Sequence, residues 1–186
     1  MKKILPAILI LIAIFVIWFV FKQASNVSPT NNQTMQPLNV SLTHPDPSNA
    51  TFTIDNQPIT LSKGTNEEDI IPGGELTQDT NLTNLIAYGD LNGDKKDDAA
   101  VVLIQSGSGS GVFIYIAAYV SGLLNYKGSN AIFIGDRIDP KSISISNGVI
   151  TFNYLDRKPD EPYAADPTVP TSKQFVYSNG TLVEKN

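Results

Sequence analysis

The chain contains no cysteine and one histidine among 186 residues. Without cysteine there is no disulfide framework, no thiolate metal site and no lipidated N-terminal cysteine. The lone histidine, His44, sits in a Pro-rich stretch, Thr43-His44-Pro45-Asp46-Pro47. That leaves no means of building a histidine-ligated zinc site, and the placement argues against a Ser-His-Asp triad. Charge is scarce at 17%, and it is unbalanced: setting aside Lys2, Lys3 and Lys22 leaves 10 basic against 18 acidic residues, a net charge of −8. A surface of that sign repels a phosphate backbone, so no nucleic-acid partner is expected. Long apolar runs are also missing, with one exception.

That exception is Ile4 to Phe21, 18 uncharged residues between Lys2-Lys3 and Lys22. The length approaches the roughly 20 residues an α-helix needs to cross a bilayer. A cleaved leader would have a shorter apolar core and a small-x-small cleavage site, whereas cleavage after Ala24 would put Lys22 at the −3 position. The segment therefore predicts a retained anchor over 1–22, holding the membrane through residues 4–21. The lysine bias puts the N-terminus on the cytoplasmic side and the rest outside. Residues 23–47 are rich in Asn, Ser, Thr, Gln and Pro and predict a flexible, partly extended polar tether. Residues 48–186 are long enough for one domain with its own core.

The domain reads as all-β. Alternating or β-branched runs at Thr51–Asp55, Ile59–Lys63, Asn84–Tyr88, Asp98–Gln105, Val112–Val120, Asn130–Ile134, Ser142–Ser146, Val149–Leu155, Lys173–Tyr177 and Leu182–Glu184 are separated by turn residues. Asn147-Gly148 and Asn179-Gly180 are strong hairpin signals, and a third hairpin is expected around Asn56-Gln57-Pro58. About nine short strands, folded into an antiparallel sheet or sandwich, are predicted. A short helix is the alternative at Glu67–Ile71 or Leu82–Ile86. The run Ser106 to Gly111, Ser-Gly repeated, has no lysine or following helix to make a phosphate loop, and reads as a hairpin connection.

Between two of these runs lies Asp90-Leu91-Asn92-Gly93-Asp94-Lys95-Lys96-Asp97-Asp98. Oxygen-bearing side chains fall at positions 1, 3, 5 and 9 (Asp90, Asn92, Asp94, Asp98), and the Lys96 carbonyl stands at position 7. Calcium is a hard cation that takes six to eight oxygen ligands, and this spacing turns alternate groups toward one centre. Position 12 is Val101, which excludes an EF-hand. The loop resembles the calcium loops of FG-GAP and VCBS repeats, whose pattern is Asp-x-Asn-x-Asp-Gly-x-x-Asp followed by a hydrophobic strand, here Ala99 to Ile104. It departs at position 6, where Lys95 replaces a glycine that favours positive φ. The motif occurs once, so a propeller of such repeats is not expected. Over residues 48–184 the chain also resembles a group of bacterial exported proteins, through segments that include Ile134-Gly135-Asp136-Arg137-Ile138 and Asn153-Tyr154-Leu155-Asp156-Arg157-Lys158-Pro159.

These features predict a membrane-anchored extracytoplasmic module that binds Ca2+ and serves a binding or structural role at the cell envelope, with an envelope protein or glycan as partner. The competing reading is an envelope hydrolase of glycosidase type. Asp136-Arg137 and Asp156-Arg157 lie on either side of the 147–148 turn, so Asp136 and Asp156 would supply its paired carboxylates. The same two steps also fit an ion-pair network closing the sheet.

Overall fold

The computed structural model describes residues 44–185. The expected anchor and residues 23–43 of the tether lie outside the described residues. Among the described residues no helix is long and apolar enough to cross a membrane. The only helical element among them is one 3-10 turn, Pro47–Asn49, capped by Asp46.

The rest is antiparallel β structure. In chain order the strands are β1 (Thr51–Ile54), β2 (Gln57–Thr60), β3 (Thr65–Asp69), β4 (Thr77–Gly89), β5 (Asp98–Gly107), β6 (Val112–Ser121), β7 (Tyr126–Gly128), β8 (Ile132–Asp136), β9 (Asp139–Ser146), β10 (Val149–Asp156), β11 (Val169–Ser178) and β12 (Thr181–Glu184). They form a two-stranded hairpin β1-β2, a four-stranded sheet β12-β11-β10-β9, and a six-stranded sheet β3-β4-β5-β6-β7 in which β8 shares the outer edge of β6 with β7.

The burial pattern of β5 explains how these pieces stack. Asp98-Ala-Ala-Val-Val-Leu103 is buried without a break, as in a strand covered on both faces. Ala100 and Val102 face a core shared with Ile114, Ile116 and Ala118 of β6 and with Ile150, Phe152, Tyr154, Phe175 and Leu182 of the four-stranded sheet. Ala99, Val101 and Leu103 face a second core, with Tyr115, Ala117 and the hairpin residues Phe52, Ile54, Ile59 and Leu61. The six-stranded sheet is thus the middle layer of three. Small alanines at 99, 100, 117 and 118 let the outer layers come close at that end of β5 and β6.

The structure departs from the expected elements in places with local causes. Twelve strands replace about nine. The strands not anticipated are β3, whose Thr-Asn-Glu-Glu-Asp sequence is almost wholly exposed at a sheet edge, and the three-residue β7. Neither has an apolar alternation to read. Glu67–Ile71 and Leu82–Ile86 are not helical: the first runs from β3 into its turn, and the second is the irregular middle of β4, where register shifts between Leu82 and Ile86. The first hairpin turns at Asp55-Asn56, both at positive φ (48° and 66°), rather than at Asn56-Gln57-Pro58. Pro58 instead stands opposite Thr53 in β2, a strand paired on one side only, where a residue without N–H is tolerated. The two Asn-Gly turns occur where expected, each with both residues at positive φ.

Candidate metal centre

The segment from Asp90 to Asp97 is the β4–β5 connection, so the register of the β4–β5 pair fixes its two ends: Gly89 stands opposite Asp98. Inside, the side chains fold back on the loop's own backbone. Asp90 accepts from the N–H groups of Gly93 (2.6 Å) and Lys95 (2.9 Å), one to each carboxylate oxygen. Asn92 Oδ1 accepts from Asp94 N at 2.9 Å, and Asp94 Oδ1 accepts from Lys96 N at 2.9 Å. Successive Asx turns of this kind coil the chain tightly. The coil needs residues of positive φ, and they are Gly93 (83°) and Lys95 (67°). Lys95 therefore adopts the backbone that glycine usually provides at position 6.

The loop is also tied to the β6–β7 turn through Ser121, which sequence spacing does not single out. The Ser121 hydroxyl donates to Asp94 Oδ2 at 2.7 Å, its N–H donates to Asp98 Oδ1 at 2.8 Å, and its carbonyl accepts from Asn92 Nδ2 at 2.8 Å. Asp98 is fully buried and takes a second N–H, from Leu91, at 2.7 Å. Lys96 Nζ reaches Gly122 O at 3.3 Å and lies 3.5 Å from Asp94 Oδ2. The Ser121 hydroxyl first and the Lys96 N–H second, with the Lys96 ammonium adding less, hold the Asp94 carboxyl below its ordinary pKa against the opposing effect of burial. Ser121 escapes sequence reading because it lies 23 residues beyond Asp98; only the pairing of β5 with β6 (Ala99 opposite Tyr119) brings it over the loop.

Two further contacts secure the rim. Tyr126 donates its hydroxyl to the Asp97 carbonyl at 2.9 Å. His44 approaches Asp97 Oδ2 at 2.8 Å and stacks on Tyr88 with ring centroids 4.2 Å apart. With Pro45 and Pro47 buried, the segment just before residue 48 packs on the domain.

As a donor set the loop is oxygen-only, which suits a hard cation. A carboxylate offers about four lone-pair sites, so Asp90 and Asp98, each accepting two N–H groups, keep acceptor capacity on both oxygens. Asn92 Oδ1 and the Lys96 carbonyl keep it as well. The residue types are chemically compatible with calcium. Among the described residues no three His, Cys, Asp or Glu side chains converge as a ready metal cluster.

The two Asp-Arg steps do meet at one edge. Arg157 Nη1 donates to the Asp136 carbonyl at 3.2 Å, and both guanidiniums lie over the Tyr163 ring, at 5.3 Å for Arg137 and 5.9 Å for Arg157. They do not form the expected cross-strand ion pairs. Arg137 Nε donates to Ser110 O and Arg157 Nε to Ala165 O, each at 2.7 Å. Asp136 takes the Val112 N–H at 2.8 Å, and Asp156 takes the Arg157 N–H at 2.7 Å. The four side chains stitch loops to strand ends, with Asp136 and Arg137 3.5 Å apart as the one ion pair among them.

No protein-family model, curated protein or solved structure matches the chain.

Proposed function

We propose that this chain is a membrane-anchored extracytoplasmic β module that takes one Ca2+ in its β4–β5 loop, through Asp90, Asn92, Asp94, the Lys96 carbonyl and Asp98, and serves a binding or structural role at the cell envelope, with an envelope protein or glycan as partner. The observation that carries the reading is Lys95 at φ +67° inside a run of Asx turns. A lysine held in a left-handed conformation costs about 1 kcal/mol or more. Lys63 and Arg137 carry the same cost in other turns (φ +53° each). What distinguishes Lys95 is its place at position 6 of the oxygen-bearing loop, between the Asp94 and Asp90 carboxylates that accept from the neighbouring N–H groups. A bound divalent ion would supply positive charge between carboxylates that otherwise repel.

The chain's own residues do the rest. Ser121 fixes Asp94 and Asp98 to β6, so tightening the loop also tightens the neighbouring turn, and a ligand-binding surface at this end of the sheets would gain rigidity. The oxygen-only donor set and the acidic surface both favour a hard cation over a transition metal.

Thermal melts of the full chain in detergent, with excess Ca2+ and with chelator, test this. At a hundredfold excess over Kd the ion adds about 2.7 kcal/mol, which raises Tm by about 10 °C for a domain of this size. Asp94→Ala is expected to lower Tm in chelator and to remove the calcium-dependent increment. Equal midpoints for the parent with and without calcium, together with no heat of calcium binding in calorimetry, would rule the site out.

A further inference from the structure

The β6–β7 turn, Gly122-Leu123-Leu124-Asn125, ends in two leucines that are 95% and 94% exposed. The turn is closed by a Gly122 N–H to Asn125 carbonyl bond of 2.8 Å, so the leucines are held outward. Nothing in the metal-loop reading uses them. The geometry points to a specific occupant: this tip inserts into the outer surface of the bilayer that residues 4–21 anchor. The inference rests on the anchored reading of the N-terminus and goes beyond it by assigning the face of the domain that meets lipid.

Three observations carry it. First, the described chain begins at this end of the molecule. His44 is fastened to Asp97 and Tyr88, and Asp97 is fastened to Tyr126 at the base of the same turn. A link of 22 residues runs from Phe21 to His44, and it enters the domain at the pole that carries the leucine tip. Second, the residues behind the tip have the composition of a membrane interface. Tyr119 and Tyr126 stack at 5.3 Å, Tyr177 lines the hollow beside Leu123 and Leu124, and Lys127 supplies an ammonium in the same hollow, while Lys96 is held by Gly122 O and by Asp94 of the acidic loop behind the tip. Tyrosines that are apolar in body and polar at the tip settle at headgroup depth, and Lys127 stands there as a cation for a headgroup phosphate. Third, the leucines project from a rigid hairpin, which spares the ordering cost that a mobile loop would incur on insertion.

A second apolar group, Ile70, Ile71 and Leu76, 53%, 63% and 51% exposed, sits on the β3–β4 turn. It lies at the opposite pole, where Gln78 pairs with Gly107 beside the β5–β6 loop. It therefore faces away from the pole where the chain enters, and serves as the internal control.

Because the chain has no cysteine, single labels are unambiguous. Asn125→Cys and Gly109→Cys, the latter at a position where an added Cβ meets open space, are each coupled to an environment-sensitive fluorophore. The full chain is reconstituted in vesicles of phosphatidylcholine and phosphatidylglycerol carrying spin-labelled acyl chains. The expected result is severalfold quenching of the label at 125, none at 109, and loss of quenching at 125 when Leu123→Ser and Leu124→Ser are added. Flotation with the vesicles but an unquenched label at 125 overturns the tip insertion and leaves the anchor standing. Failure to float overturns both. Quenching at 109 instead puts the Ile70 pole on lipid, and a spectral shift at 125 that follows protein concentration without vesicles assigns the tip to a second copy of the chain; either overturns the inference.

Discussion

Tyr115 sits in the middle of β6 and is 5% exposed, with its hydroxyl donating toward Asp55 Oδ2 and Gln105 Oε1, 3.4 Å from each. Burial first, and the Asp55 charge second, push its pKa up to about 12. A phenol whose folded pKa exceeds its unfolded value near 10 holds its proton more tightly in the native state. Its contribution is complete below pH 10 and is lost as pH rises toward 12. Chemical denaturation of the parent and of Tyr115→Phe is expected to show the parent losing on the order of 2 kcal/mol more across that window. Parallel pH profiles would refute the shift. Residues of this kind differ in how far they can be read from sequence. A positive φ at position 6 of the acidic loop is implied by its resemblance to a calcium-loop pattern, and Lys95 stands at φ +67° there. That Ser121 would serve three of the loop's side chains does not follow, because the contact depends on strand register 23 residues away.

Single elements were legible where side-chain chemistry dictates the backbone, and not where a neighbour does. Asn147-Gly148 and Asn179-Gly180 carry their turn geometry with them. β3 has no such signal; it becomes a strand because it finds a partner in β4, pairing Thr65 with Asn81 through Asp69 with Thr77. β7 ends at Gly128 where the chain turns to pair with β1 of the hairpin, through Thr53 N–H to the Ser129 carbonyl (3.0 Å) and Ala131 N–H to the Thr53 carbonyl (2.7 Å). A Cβ at Gly128 would collide with the Thr51 carbonyl and come within 2.9 Å of the Phe52 ring, so Gly128 is required for approach rather than for φ. Gly128→Ala is expected to destabilise the domain by about 1–3 kcal/mol through forced separation of β7 from β1, seen as a lower urea midpoint. Gly109→Ala, facing open space, should change the midpoint little. Similar midpoints for the two would mean that β7 yields freely.

At the scale of the whole molecule, the all-β class and the antiparallel pairing of sequential strands could be anticipated, and the layering could not. The continuous apolar run Ala99 to Ile104 was readable as the strand following the acidic loop, but it carries more than that. Its alternate residues belong to two separate cores, and β6 divides its residues in the same way. Two cores could in principle mean two units melting apart. Here neither outer layer can leave without stripping one face from the same pair of central strands, which exposes that buried face to water and leaves the other layer held at the alanine-rich end by few atoms. The domain should therefore open as one cooperative unit, with a calorimetric enthalpy equal to its van't Hoff enthalpy. Amide protons of residues 99–103 should exchange only through global unfolding, with one opening free energy whichever core their side chains face.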